Sequence, residues 1–253
     1  MDLSKGTLRV WQRDMDTFLS LWKTESWPPF VEPLLHLLAL GYGVGAYVTG
    51  IGGQSYIQFI APGIIASSAM FSASFECMWG TYFRMVVQKT FDAIIATPVS
   101  VDDVILGEIL YGATRGLLAG LGVLVVVSAL GLVAWPAAVL VLPIAFLSGI
   151  MFAAMAALYT AWAPSMGAFN YYFTLFMTPM FLFSGIFFPL EQLPPLVQRL
   201  SWLSPLSHVV RPFRELAQGG FSLAAAGDVA LVTLLAALFS ALAVLRMRQR
   251  LIR

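Results

Sequence analysis

QKTFDAIIATPVSVDD, Gln88 to Asp103, separates two long apolar runs with a short polar-flanked segment that breaks at Thr97-Pro98. Phe91, Ile94 and Ile95 fall at i, i+3 and i+4, on one face of a two-turn helix, with Lys89 and Asp92 off that face. So short a helix is unstable alone in water, and its apolar face has to bury against something. Ser100-Val101-Asp102-Asp103 then forms a capping box that opens the next helix. The Ser100 hydroxyl accepts from the Asp103 amide, and the Asp103 carboxylate reaches back. The acidic pair also suits the positive end of that helix dipole. Pattern leaves two receivers for the apolar face: the membrane surface or the chain's own helix ends, and a groove on a soluble partner.

The flanking runs set the class. Hydrophobic residues make up 59% of the 253-residue chain and charged residues only 11%, against roughly 25% charged in a soluble domain. This is the composition of an integral membrane protein. A net charge of +1 with no basic stripe to neutralise phosphates gives no case for nucleic acid as a partner. Cys77 is the only cysteine, so neither an internal disulfide nor a CxxC motif exists. Apolar runs near 30–49, 57–80, 104–130, 137–160, 170–189 and 228–245 are each near the roughly 20 residues that cross about 30 Å of hydrocarbon. The expected fold is all-α, a single membrane domain over residues 1–253 with six transmembrane helices.

Basic residues resist translocation and so fix orientation. With both termini cytoplasmic, the inner side holds Lys5, Arg9, Arg13, Lys23, Arg84, Lys89, Arg246, Arg248, Arg250 and Arg253, ten of the fourteen Lys and Arg. The outer side holds Arg199, Arg211 and Arg214, and Arg115 lies within the third span. Residues 88–103 are therefore cytoplasmic. Residues 1–29 read as an interfacial elbow. Trp11, Met15, Phe18 and Trp22 recur at helical spacing opposite a polar face, the type of helix that lies among headgroups, and Trp27-Pro28-Pro29 ends it.

Vectorial transport needs an energy source, and this chain lacks one. A phosphate-cradling loop requires G-x-x-x-x-G-K-[ST], but none of Lys5, Lys23 and Lys89 follows a glycine. Ion coupling usually places ionisable residues at mid-membrane, and the spans carry few: Glu76, Glu108 and Arg115. Glu108 and Arg115, seven apart, share a face of the third span about 10 Å apart along its axis. A charge at that depth needs a partner, so Glu76 or Glu108 is expected to pair with Arg115, as a packing element or part of a gate. Asp228 and the arginines from Arg246 onward read as end anchors.

Residues 190–227 form an outer hairpin. Pro194-Pro195 opens one helix, Ser204-Pro205 a second, and Gly219-Gly220 stops it. Leu206, Val209, Val210, Phe213 and Leu216 make its apolar face. Glu191, His208, Arg211 and Arg214 are candidates for an exit site that contacts sugar or phosphate, or for hydrogen bonds that hold the hairpin. With His36 the only other histidine, no set of three or four metal ligands is available. The aromatic run FNYYFTLFMTPMFLFSGIFF from Phe169 makes a greasy wall interrupted by Pro179, either packing or an amphipathic substrate path. Ser165 lacks a nucleophile-elbow context, so no catalytic constellation emerges.

The elbow, the six runs, KTFDAIIATPVSVDDVILGEIL after the second and FSGIFFPLEQLP…SPLSHVVRPFREL after the fifth resemble permease subunits of type-2 ATP-binding-cassette exporters. Within them, the chain is similar to the nodulation protein J branch, which exports lipo-oligosaccharide. The resemblance covers nearly the whole chain. It implies that 88–103 is a coupling segment docking into a separate nucleotide-binding subunit through Thr90, Phe91, Asp92, Ile94, Ile95, Thr97 and Pro98. It further implies a permease homodimer with two ATPase subunits in the bacterial inner membrane. ATP and Mg would be held by the partner, with no cofactor in this chain. Substrate would enter laterally from the inner leaflet and leave beneath the outer hairpins. The expected cargo is an amphipathic glycolipid, lipo-oligosaccharide or polysaccharide. A hydrophobic drug is the alternative within the superfamily, and a stand-alone ion-coupled carrier or intramembrane enzyme the alternative outside it.

Overall fold

The computed structural model of the chain describes residues 5–25, 27–48 and 50–251. Residues 1–4 of the expected elbow and Arg253 lie outside that set. The described residues are helical throughout their ordered elements. In chain order these are α1 (Lys5–Ser20), α2 (Pro28–Leu38), α3 (Tyr56–Val87), α4 (Thr90–Ile95), α5 (Val101–Ala129) and α6 (Ala137–Trp162). An interrupted helix over 169–183, α7, follows, and then α8 (Pro195–Trp202), α9 (Ser207–Ala217) and α10 (Leu223–Leu251).

Among the described residues, α3, α5, α6 and α10 are the four helices long and apolar enough to cross a bilayer. The remaining two expected spans take other forms. Residues 30–49 give a shorter apolar helix, Val31–Ala46, whose last turns loosen into π and 3-10 geometry. Residues 170–189 are helical only to Phe183. A π turn at Phe173–Met177 precedes Pro179, whose missing N–H and ring disturb the regular ladder. The Ser184 hydroxyl donates back to the Met180 carbonyl, and Gly185, at φ +78°, turns the chain out of the helix.

The core forms around α3, which packs on α5 and α6 through small residues. A Cβ on Gly116 of α5 would stand 2.8 Å from the Ala69 carbonyl oxygen of α3, an approach only glycine permits. Helix α3 runs past its expected end near residue 80 to Val87. Arg84, read from the sequence as a basic group of the cytoplasmic loop, therefore stands on the helix itself. Lys89, at φ +55°, then turns the chain sharply into α4.

The elbow helix α1 also packs on the protein. Its buried residues are Thr7, Val10, Asp14 and Phe18, and Trp22 beyond it is exposed. That face lies against α5: a Cβ on Gly107 would come within 2.6 Å of the Val10 Cβ, and Trp11 donates to Thr114 Oγ1 at 3.0 Å. Of the stripe Trp11-Met15-Phe18-Trp22, Phe18 is buried and Trp11 reaches α5, while Trp22 stays exposed. A hydrophobicity pattern favours the tryptophans, whereas packing on glycine-bearing α5 favours the slimmer Thr7-Val10-Asp14 ridge.

Candidate functional site

Where α1, α3 and α5 meet, an ionic network joins seven side chains. Arg84 reaches Glu108 at 2.5 Å and Glu76 at 2.9 Å. Arg13 reaches Asp14 at 2.6 Å and Glu108 at 3.3 Å, and Thr81 donates to Glu108 at 2.7 Å. Arg115 pairs with Glu25 at 3.0 Å, lies 3.9 Å from Glu76, and stacks over the Phe18 ring. Glu76, Glu108 and Arg115 therefore belong to one connected cluster, yet the main cation for Glu108 is Arg84, not Arg115. Seven residues along α5 point Glu108 and Arg115 the same way but about two turns apart, so each finds a different principal partner, Arg84 for Glu108 and Glu25 for Arg115.

Sequence reasoning missed Arg84, Arg13, Asp14 and Glu25. One signal was present. In Glu76-x-x-x-Gly80-x-x-x-Arg84 the carboxylate and guanidinium share a face with a glycine between them, and a Cβ on Gly80 would fall 2.2 Å from Glu76 Oε1. Asp14 is the network's strained member. Burial, reinforced by the charge of Glu108, pushes its carboxyl up from 3.8 to about 7, and its Oδ2 has no hydrogen-bond partner.

Helix α4 hangs directly below. Phe91 is fully buried in the chain's own core, with Ile94 and Ile95 half-buried against it. The face expected to anchor a partner is thus turned inward, because the adjoining ends of α3 and α5 supply the burial that a two-turn helix requires. Asp92, Ala93, Ala96, Thr97 and Pro98 are what α4 and its turn leave exposed, with Thr90 half-buried. Thr97 donates to the Ile94 carbonyl at 2.6 Å and closes the helix. The capping box forms: Asp103 N donates to Ser100 Oγ at 3.1 Å and Ser100 N to Asp103 Oδ2 at 3.2 Å. The other Asp103 oxygen accepts from Thr7 at 2.9 Å and ties α1 to the start of α5.

Above the network lies a cavity of about 710 Å³, bounded by α2, α3 and α7. Glu25, Glu76 and Arg115 form one end, and Glu32 and His36 line the α2 side. Phe71, Phe75, Phe173 and Phe181 make the aromatic wall, so the π-disturbed helix α7 contributes to a concave surface.

The outer candidates separate. His208 is buried, bonded to Asp228 at 2.6 Å and to the Trp202 carbonyl at 2.8 Å. Arg211 joins Asp228 at 3.1 Å, so Asp228 is a buried counter-ion and not an end anchor. Arg214 donates to the Gly185 carbonyl at 2.6 Å and lies over Phe59, and desolvation lowers its guanidinium to about 10. Glu191 is exposed, its carbonyl accepting from Gln198, and its charge acts on Arg214. Glu191, His208, Arg211 and Arg214 thus do not converge on a common exit site. His208 and Arg214 hold α9 against α10 and the end of α7.

Long apolar helices, a short helix packed against the ends of two of them and a side cavity with an ionic network at one end suit the membrane part of a transporter. The chain belongs to the ABC-2 type transporter family, whose model matches residues 7–217. It is a multi-pass membrane permease. Nodulation protein J of Sinorhizobium fredii is 37% identical over 207 residues, 82% of this chain and 79% of that protein. Nodulation protein J of Rhizobium meliloti is 38% identical over 208 residues, 81% and 79% of the two chains. The inner membrane transport permease YadH of Escherichia coli is 27% identical over 228 residues, 88% and 85%.

Proposed function

We propose that the chain is the membrane subunit of an ATP-driven exporter that carries an amphipathic glycolipid, lipo-oligosaccharide or polysaccharide across the bacterial inner membrane. The observation that carries this reading is the 710 Å³ cavity, aromatic on one wall and ionic at one end, set beside the network that joins α1, α3 and α5. An acyl chain fits the phenylalanines and a glycan fits the polar groups. The similarity to nodulation protein J favours lipo-oligosaccharide over a hydrophobic drug.

In this reading both termini are cytoplasmic and six membrane crossings are completed by α2 and by α7 with the chain that follows it. A separate ATPase subunit holds ATP and Mg and docks on the exposed side of α4, at Asp92, Ala93, Ala96, Thr97 and Pro98, with Thr90 at its edge. Phe91, Ile94 and Ile95 transmit rather than dock. They fix α4 to the ends of α3 and α5, so a push on α4 moves both helices. Arg84, Glu108, Arg13 and Asp103–Thr7 add α1 to the same moving unit. Two permeases and two ATPases form the working assembly, and cargo enters from the inner leaflet through the cavity mouth.

Affinity purification from the native membrane tests the reading. Recovery of an ATPase subunit with the chain, and glycolipid export that stops without ATP, are the expected results. Recovery of the chain alone, with export that follows a proton gradient, would overturn it.

A further inference from the structure

The cavity's polar lining is built almost wholly of acceptors. Thr24, Ser67 and Ser68 spend their hydroxyl protons on the Leu21, Ile64 and Ile65 carbonyls, at 2.9, 3.1 and 2.8 Å. Ser72 donates across to the Arg115 carbonyl at 3.1 Å. What these hydroxyls offer the cavity is lone pairs. Three carboxylates, Glu25, Glu32 and Glu76, face the same space against a single guanidinium, that of Arg115.

That guanidinium is already engaged. It donates to Glu25 at 3.0 Å, lies 3.9 Å from Glu76 and is stacked on Phe18, with little of its surface exposed. Glu76 is in turn held by Arg84. Glu32 has no ion-pair partner among the described residues and stands exposed on α2, one helical turn before His36. Among the described lining residues an anion entering here would meet like charge with no free guanidinium or ammonium, and the His36 imidazole as the further nitrogen donor. A head group rich in O–H or N–H donors would find an acceptor at nearly every polar position, with the phenylalanines beside it for an apolar chain.

We propose that the cavity is a charge filter, admitting amphiphiles whose head donates hydrogen bonds and is uncharged or ammonium-bearing, excluding anionic heads, with Glu32 setting the selectivity. The proposal rests on the exporter reading and names the class of substrate that reading leaves open. It makes phosphorylated glycolipids and anionic phospholipids poor ligands, although both match the cavity in size and apolar character.

The test uses the full chain with its copurified ATPase in nanodiscs and a fluorescent alkyl glucoside as probe. Three competitors of equal chain length are compared: the alkyl glucoside, the alkyl glucosaminide and the alkyl glucoside 6-phosphate. The first two are expected to displace the probe at similar concentrations and the phosphate to need at least about tenfold more. Glu32→Gln should narrow that gap, and Glu32→Lys should close or reverse it. Equal displacement by all three in the wild type, or an unchanged gap in Glu32→Lys, would overturn the filter. Absence of probe binding would also overturn it, while ATP-dependent export measured on the same preparation would leave the exporter reading standing.

Discussion

Arg84 on α3 meets Glu108 on α5 at 2.5 Å, and the two helices they join are the pair that hold the α4 helix between them. Both groups are shielded from solvent, Glu108 almost completely. Removing one partner takes the shortest ion pair from a buried charge, toward the roughly 3–5 kcal/mol that full loss of compensation costs, while Glu76 still faces Arg84 and Arg13 still faces Glu108. Glu108→Gln is therefore expected to lower the melting transition of the purified permease strongly, and Arg84→Met equally so. The double variant Arg84→Met with Glu108→Met should recover much of the loss. A double variant as unstable as the sum of the singles would refute the pairing.

Asp14 makes stability depend on pH. Its carboxyl titrates near 7 in the folded chain, against 3.8 ordinarily, because burial and then Glu108 disfavour its charge. A folded value raised above the unfolded one means the fold binds an extra proton between those limits. Stability is then greatest near or below pH 4 and falls as pH rises through about 7. The melting midpoint should be lower at pH 8 than at pH 5.5, by several degrees, since 1 kcal/mol moves a chain of this size by roughly 2–4 °C. Asp14→Asn should flatten that slope; an identical slope in the variant would exclude Asp14 as its source.

The elbow rests on α5 through Gly107, where an added Cβ would lie 2.6 Å from Val10 Cβ. Gly107→Val is expected to displace α1 at a cost of about 1–3 kcal/mol from overpacking. Limited proteolysis should then cut within α1 while α5 and α6 stay protected. Pairing Gly107→Ala with Val10→Ala should restore protection, and a Gly107→Val elbow as resistant as the wild type would contradict the contact.

The two faces of α4 are expected to behave differently. Phe91→Ala empties a fully buried site and should destabilise the permease by about 3–5 kcal/mol. Ala96→Asp and Asp92→Arg alter exposed positions, so they should leave melting nearly unchanged while reducing ATPase recovery at least about tenfold. Melting and copurification together separate these cases. Full ATPase recovery with Ala96→Asp would move docking elsewhere.

The sequence carried the local devices and concealed the facing ones. The Ser100–Asp103 capping box, the Pro195 start and the Gly219 stop each depend on neighbours within a few residues, and all are present. The apolar spacing of Phe91, Ile94 and Ile95 was equally plain, but periodicity says only that a face is buried, not by whom. Arg84 looked like a loop cation because hydropathy falls near residue 80, while the helix continues as Arg84 neutralises Glu76 and Glu108. Asp14 and Glu25 precede the spans and carry no depth signal of their own. Their role arises from α1 folding back on α5, a contact about ninety residues away in the chain.

If a separate ATPase drives glycolipid movement, its push reaches the cavity through α4 and the two helices that α4 joins. Translocation of a fluorescent lipo-oligosaccharide in proteoliposomes containing permease and ATPase measures it directly. ATP added on the ATPase side should produce export that Asp92→Arg and Ala96→Asp abolish while the permease remains folded. Export that persists in those variants, or that proceeds on a proton gradient without ATP, would exclude coupling through α4.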